Sequence, residues 1–438
     1  MPNWPADGAP PPRGWAWTRG WVLACVALWP LPGPAEAVLA LGALAVAAQW
    51  LATAARGGVL PLDRCAAWLV AVLFAGYWLP ELLSLPDALD RPRALKEVLA
   101  DLRYLPFLAG VAIAVRGPAG RRQVGLGLAG VAALWTLDAL AQVLAGASPL
   151  FAALDAARQA LAGGPLCPAQ AALAAGRVNG VFGACNPKLG QALAVLAPFL
   201  LAAAARRGAA AWCGTALVAG AVVALAGARA AWVMYALVLL GSGWHALGAR
   251  RLLAFAAAAL LGLACLYLAA PPLRERVAQT TLALQGGGLD AALAGRVRIW
   301  QGAACMAAAH PLNGVGVRGF RVAWPACDPA PEQAPAWGGG GAYHAHQLLL
   351  EVLSETGALG LLLWLGAAWA AWRAWCGAGA DVRRQARPAA LALGVAVFPL
   401  NTHLAAYSSF WGGVLLLLAG LYAGALHGGG GAAQRSRS

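Results

Sequence analysis

The sequence predicts an all-α integral membrane protein with about twelve transmembrane helices and a large outer loop carrying short helices. Three observations predict it. Apolar residues make up 61% of the 438 and charged residues only 11%, more apolar surface than a soluble fold can hide. Stretches near the about 20 apolar residues that a helix needs to cross a roughly 30 Å hydrocarbon core recur almost from end to end. Arginine pairs punctuate these stretches at alternate connections, as the excess of basic residues in cytoplasmic loops requires.

The twelve stretches centre on residues 19–32, 35–55, 65–85, 102–116, 123–145, 187–205, 209–227, 230–248, 252–270, 358–374, 388–405 and 409–427. The first two are short and divided only by PLPGP, whose prolines interrupt a helix. With the N-terminus inside, the inner connections receive Arg13 and Arg19; Arg56 and Arg64; Arg116, Arg121 and Arg122; Arg206 and Arg207; Arg250 and Arg251; Arg373, Arg383, Arg384 and Arg387; and Arg435 and Arg437. Topology therefore accounts for most of the net charge of +14, and nucleic-acid binding is unnecessary. The proline-rich start and the lack of a small-residue cleavage site predict that the first apolar segment stays as an anchor.

Length concentrates on the outer face, in residues 146–186 and 271–343, and long loops in compact proteins carry function. The organisation predicted is residues 1–270 as spans one to nine with the outer segment 146–186, residues 271–357 as the main outer loop with amphipathic helices, residues 358–427 as the last three spans, and 428–438 as a cytoplasmic tail. Arg177, Lys188, Arg229, Arg296, Arg298, Arg318 and Arg321 fall on this outer side, against the inside rule, and need another reason. Of nine cysteines, Cys167, Cys185, Cys305 and Cys327 lie in the two outer segments. In an oxidising compartment such as a bacterial periplasm they can pair within each segment; the competing reading is that they are small buried apolar residues.

Residues 295–320, GRVRIWQGAACMAAAHPLNGVGVRGF, read as an amphipathic helix stopped by a proline and a glycine-rich turn. Arg296 shares a helix face with Trp300, four residues on, while Arg298 points elsewhere. Either arginine could be solvated at the membrane surface or hold an anion through a bidentate contact. After four glycines comes HAHQLLLEVLSETGALG, residues 344–360. A continuous helix over 345–373 would measure roughly 43 Å, too long for one span, so Gly357 and Gly360 predict a break. Residues 344–356 are then a short helix or re-entrant piece at the outer surface, and the span starts near Ala358. A helix would splay His344 and His346 by about 200°, leaving at most one facing a shared site.

A lone H-x-H is weak as a metal site, since zinc needs three or four converging ligands, and no Asp-x-Asp of the magnesium-holding kind is present; no metal site is expected. A histidine general base is chemically reasonable, against the blander reading of a polar helix terminus.

The sequence His346-Gln347, nine residues, then Gly357-x-x-Gly360 resembles the signature of the bacterial O-antigen ligases. GRVNGVFGACNPKLGQALAVLAPFL (176–200), the Asp138 and Gln142 pair, GARAAW around Arg229, GRVRIW around Arg296, HPLNGVG and FPLNTH are similar to the wider O-antigen ligase and polymerase superfamily. The likeness covers about residues 100–427. The threonine-glycine that often follows G-x-x-G is replaced by LLLWLG.

The resemblance implies a GT-C-like glycosyltransferase in the bacterial inner membrane with its active site facing the periplasm. It implies inverting transfer of O-antigen polysaccharide from undecaprenyl pyrophosphate to a sugar hydroxyl of lipid A-core oligosaccharide, with no metal and no cofactor. Carried over by position, His346 is the base, Arg229 and Arg296 bind the pyrophosphate, and Arg177, Lys188 and Arg298 are further substrate-binding candidates. Structural readings stand beside these. Arg229 could cap its span and snorkel, Asp138 with Gln142 could be an interhelical hydrogen-bonding pair, His310 is read as a turn residue, His403 as structural and His344 as a neighbour without a direct role. Competing classes are a lipid-linked O-antigen polymerase, a protein O-oligosaccharyltransferase and a membrane transporter; the 73-residue loop 271–343 and the lack of a repeated half-chain pattern argue against the last.

Overall fold

A computed structural model describes the chain apart from residues 1–12, 169–176, 287–288, 291–292, 336, 338–339, 401–403 and 428–438. Helices dominate it, and no strand element occurs among the described residues. In chain order they are α1 (Trp17–Ala27), α2 (Pro32–Ala55), α3 (Arg64–Leu83), α4 (Arg91–Asp101), α5 (Tyr104–Ala114), α6 (Pro118–Ala145), α7 (Pro149–Ala162), α8 (Leu189–Ala205), α9 (Ala209–Leu225), α10 (Arg229–Leu247), α11 (Ala249–Ala269), α12 (Pro271–Gly286), α13 (Arg296–Ala309), α14 (Phe320–Cys327), α15 (Leu348–Gly377), α16 (Ala380–Ala396) and α17 (Ser409–His427).

Eleven of the twelve apolar stretches coincide with a helix, though these differ in reach; the expected stretch 388–405 overlaps only the second half of α16, which starts at Ala380 and ends at Ala396. Seven (α2, α3, α6, α10, α11, α15 and α17) are long and apolar enough to cross a membrane, and α8 and α9 are apolar but shorter. At 11 residues each, α1 and α5 measure roughly 17 Å, less than one crossing. Prolines explain the short pieces: Pro30, Pro32 and Pro34 separate α1 from α2, and Gly117-Pro118 separates α5 from α6.

The bundle is layered around α17. Its apolar window is 89% buried while that of α11 is 11% buried, so α17 is the centre and α11 the lipid-facing edge. α17 packs on α5, α16 and α3; α8 packs on α6, α9 and α10; α15 packs on α3. Close approach at the centre needs glycine: a Cβ at Gly424 would sit 2.3 Å from the Ala112 carbonyl oxygen, and one at Gly420 2.9 Å from that of Leu108.

Both segments expected on the outer side are tied down. Cys167 is bridged to Cys185, and Cys305 to Cys327. Asp138 accepts from the Ser148 hydroxyl (2.9 and 2.7 Å to its two oxygens) and from the Leu150 N–H (2.9 Å), fixing the start of α7. Gln142 Oε1 accepts from the backbone of Asn179 and Gly180 at 3.0 and 2.7 Å. The Asp138 and Gln142 pair of the sequence thus anchors the segment after α6. Arg116, counted among the inner-loop arginines, is instead buried and paired with the buried Asp63 at 3.5 Å.

Candidate functional site

The site is built on a break in α15. At Gly357 the backbone has φ 67° and ψ −169°, a region open to glycine alone. In an unbroken helix the N–H groups of Ala358 and Leu359 would bond the carbonyls of Ser354 and Glu355. Instead those carbonyls accept from Val315 N (2.9 Å) and Gly316 N (3.0 Å), while Ala358 and Leu359 donate to the carbonyls of Pro311 (2.9 Å) and Leu312 (3.2 Å). The HPLNGVG turn therefore supplies the hydrogen bonds that the break removes. The fit is tight: a Cβ at Gly357 would lie 2.1 Å from the Leu312 oxygen, and one at Gly314 2.4 Å from the Glu355 carbonyl carbon. Gly360 remains helical, and its added Cβ would strike Thr356 Oγ1 at 2.0 Å, so the two glycines do different jobs.

The connection before α4 braces the same turn. Leu89 N bonds Val315 O at 3.0 Å, Val317 N bonds Ser84 Oγ at 3.1 Å, and Asn313 Nδ2 bonds Asp87 Oδ2 at 2.9 Å. The chain then delivers Arg318 with φ +63°, its N–H held by buried Glu355 Oε2 at 2.9 Å. Its guanidinium lies 3.3 Å from Glu97 and donates to Tyr407 O at 3.3 Å. One turn on, Arg321 stacks its guanidinium over Tyr343 at 5.1 Å.

The histidines precede the helix. α15 begins at Leu348, N-capped by Gln347, whose side chain accepts from Leu350 N at 2.6 Å. Gln347 also donates to Pro399 O. His346 sits at φ +54°, a strained setting for a non-glycine residue. Two expectations are corrected here. The helix does not start at residue 344, and the two histidines are not splayed: their ring centroids stand 3.8 Å apart, because extended and left-handed backbone replaces helical spacing.

A cavity of about 380 Å³ opens beside them, lined by Lys188, Arg318, Arg321, Tyr343 and His344, by one carboxylate, Glu36, and by apolar residues that include Trp29, Phe107 and Phe410. Lys188, at the start of α8, sits 4.2 Å over the Phe410 ring. The Nε of Arg321 and the Nε2 of His344 are enclosed without a hydrogen-bond partner among the described residues. Burial pulls the His344 pKa well below its usual 6.5, reinforced by His346, Arg318, Arg296 and Arg321. Burial likewise lowers the Lys188 ammonium, and burial with Arg318 and Arg93 lowers Arg321. Crowded, desolvated cations of this kind are stabilised by an anion.

Of the residues singled out in the sequence, Lys188 lines the cavity and His346 touches it through His344. Arg296 lies close enough to act electrostatically on His344. Arg177 and Arg229 form a neighbouring group: the Arg177 side chain packs on Gly227, just before Arg229 and beside the first turn of α8. Arg298 is committed elsewhere. It holds Asp328 by two 2.7 Å bonds and donates to the carbonyls of Gln333 and Ala330 at 2.9 and 2.5 Å, so four of its N–H donors clasp the loop after α14 and none of these faces the cavity. His310 ends α13 as a turn residue; His403 lies outside the described residues. The residues that sequence reasoning passed over are Arg318, Arg321 and His344. Their signal was present for the arginines, which already broke the inside rule.

Among the described residues, the one three-ligand cluster with metal-binding geometry is Asp63, Cys65 and His427, with ligand atoms within 4.8 Å of one another. It lies at the opposite end of α3 and α17 from the cavity, and the adjacent Arg116 already neutralises Asp63.

The fold and site together define an all-helical, multi-pass membrane protein with a cationic, histidine-bearing cavity at one end of its bundle. Residues 192–365, from α8 through the break in α15, match the family model described as O-antigen ligase. Over this segment, which is less than half of the chain, the sequence is similar to the O-antigen ligase family. No curated protein matches the sequence.

Proposed function

We propose that the protein is an O-antigen ligase that moves a polysaccharide from undecaprenyl pyrophosphate onto a sugar hydroxyl of lipid A-core oligosaccharide at the periplasmic face of the inner membrane. The observation that carries this reading is the cavity itself, where Lys188, Arg318 and Arg321 outnumber the one carboxylate, Glu36, beside an apolar lining that includes Trp29, Phe107 and Phe410. A pyrophosphate joined to a long hydrocarbon matches this mixture of cationic and apolar lining.

In this reading His346 takes the proton of the acceptor hydroxyl. The freed oxygen attacks the anomeric carbon from the face opposite the pyrophosphate, the bond from that carbon to the phosphate oxygen breaks, and the anomeric configuration inverts. Charge grows on the departing pyrophosphate, which needs neutralisation more than protonation. Lys188, Arg318 and Arg321 meet that charge, with Arg296, Arg229 and Arg177 flanking them; preorganised cations in a water-poor site act most strongly. His344 holds the His346 ring. The two disulfides support the outer placement, since such bonds persist in oxidising compartments.

The test is transfer by the purified protein, given the lipid-linked glycan and rough lipopolysaccharide, with and without chelator. The expected result is capped lipopolysaccharide at equal rates in both. Elongated lipid-linked glycan would make the protein a polymerase, glycan on a protein hydroxyl an oligosaccharyltransferase, and loss of transfer on chelation would remove the metal-free mechanism.

A further inference from the structure

We propose that a second cavity, at the end of the bundle opposite the histidines, is a binding site for an anionic phospholipid of that leaflet. Lys188 caps the start of α8 and Arg206 its end, so these cations of the two cavities stand about 27 Å apart along this helix. The second cavity, of about 270 Å³, lies between α6, α8, α16 and α17. Arg121, Arg122 and Arg206 stand at its mouth, and Val124, Phe199 and Leu421 are among its walls.

Three features select a lipid phosphate. No carboxylate is among the lining residues. Arg121 donates through one Nη to Gln385 Oε1 at 2.5 Å, but its other Nη is enclosed with no hydrogen-bond partner among the described residues. The start of α6 also lies here, with Pro118 at its first turn, and the exposed N–H groups of a long helix's first turn favour an anion. The nearest acid on α16, one turn before Gln385, is Asp381, which pairs with Arg384. A phosphodiester at Arg121, Arg122 and Arg206 would satisfy the orphaned donor, while an acyl chain follows the apolar walls along membrane-crossing helices. A soluble phosphate would use only the mouth. Basic pockets between transmembrane helices bind acidic lipid headgroups in this manner.

The full-length protein in zwitterionic nanodiscs provides the test, with phosphatidylglycerol or cardiolipin titrated in and thermal unfolding as readout. A saturable rise in melting temperature is expected, with affinity about tenfold weaker in Arg121→Gln, as for loss of a charged hydrogen bond. The exposed Arg250→Gln should leave it unchanged. An equal rise in Arg121→Gln, or one reproduced by inorganic phosphate, overturns the proposal. Should Arg121→Gln fail to fold, native mass spectrometry of the unaltered protein decides: retained acidic phospholipid above the zwitterionic background is expected, and equal retention of both contradicts it.

Discussion

At the scale of single residues, the tightest physical constraint falls on His344 and His346. His344 is held neutral by burial and by the positive groups around it, so its ring can pack against the tilted ring of His346 without adding a charge to a site already rich in arginine. The sign of the pH effect follows. A histidine whose folded pKa lies below its unfolded value costs stability once the unfolded chain binds the proton, so stability is complete above about pH 6.5 and falls as the solution is acidified below it. The wild type should therefore melt at a lower temperature at pH 5 than at pH 7.5, and His344→Gln should narrow the gap. An unchanged gap in the variant assigns the acid sensitivity to another group. Arg318 and Arg321 should bear on the donor rather than the acceptor. Arg321→Lys keeps the charge but loses the planar fork, and should raise KM for the lipid-linked donor while leaving KM for the acceptor near wild type.

At the scale of elements, the break in α15 organises the site. It was legible as a need, because a continuous helix over residues 345–373 exceeds one crossing, and Gly357 and Gly360 were the residues able to provide it. What the local pattern could not give is the partner. The HPLNGVG turn lies some 40 residues upstream, and only tertiary pairing makes it the acceptor and donor of the broken hydrogen bonds. α4 was missed for a related reason: it is short and charged, so hydropathy passes over it, yet with the preceding connection it braces the turn. Gly357→Ala should be costly, since it combines left-handed backbone, worth about 1–3 kcal/mol, with a methyl 2.1 Å from the Leu312 oxygen. Gly366→Ala, later in the same helix with open space at its Cβ, should be neutral or slightly stabilising by helix propensity. Thermal unfolding of the two variants checks the contrast, and equal losses would mean that the break carries no special demand.

At the scale of the whole molecule, composition and arginine spacing made the all-helical membrane class legible. The position of most apolar helices followed from the same pattern, but that of α16, displaced toward its charged first half, and the unequal lengths did not, because prolines and buried packing set where each helix ends. The convergence of Lys188, Arg318, Arg321 and His344 was hidden, since these residues span 157 positions of chain and meet only through the packing of α8, α15 and α17. Sidedness is open to measurement. A cysteine placed at the exposed Ala334, in a background whose other free thiols are removed, should react with an impermeant reagent in intact spheroplasts; reaction only after permeabilisation would invert the topology.

The proposed chemistry turns on His346 as the base for glycan transfer. It is tested most directly by single-turnover transfer with purified wild type and His346→Ala, each saturated with lipid-linked donor and supplied with rough lipopolysaccharide. A fall of about 10²- to 10⁴-fold in the transfer rate is expected, with donor affinity and melting temperature near wild type. Transfer by His346→Ala at close to the wild-type rate would contradict it and move the base to His344.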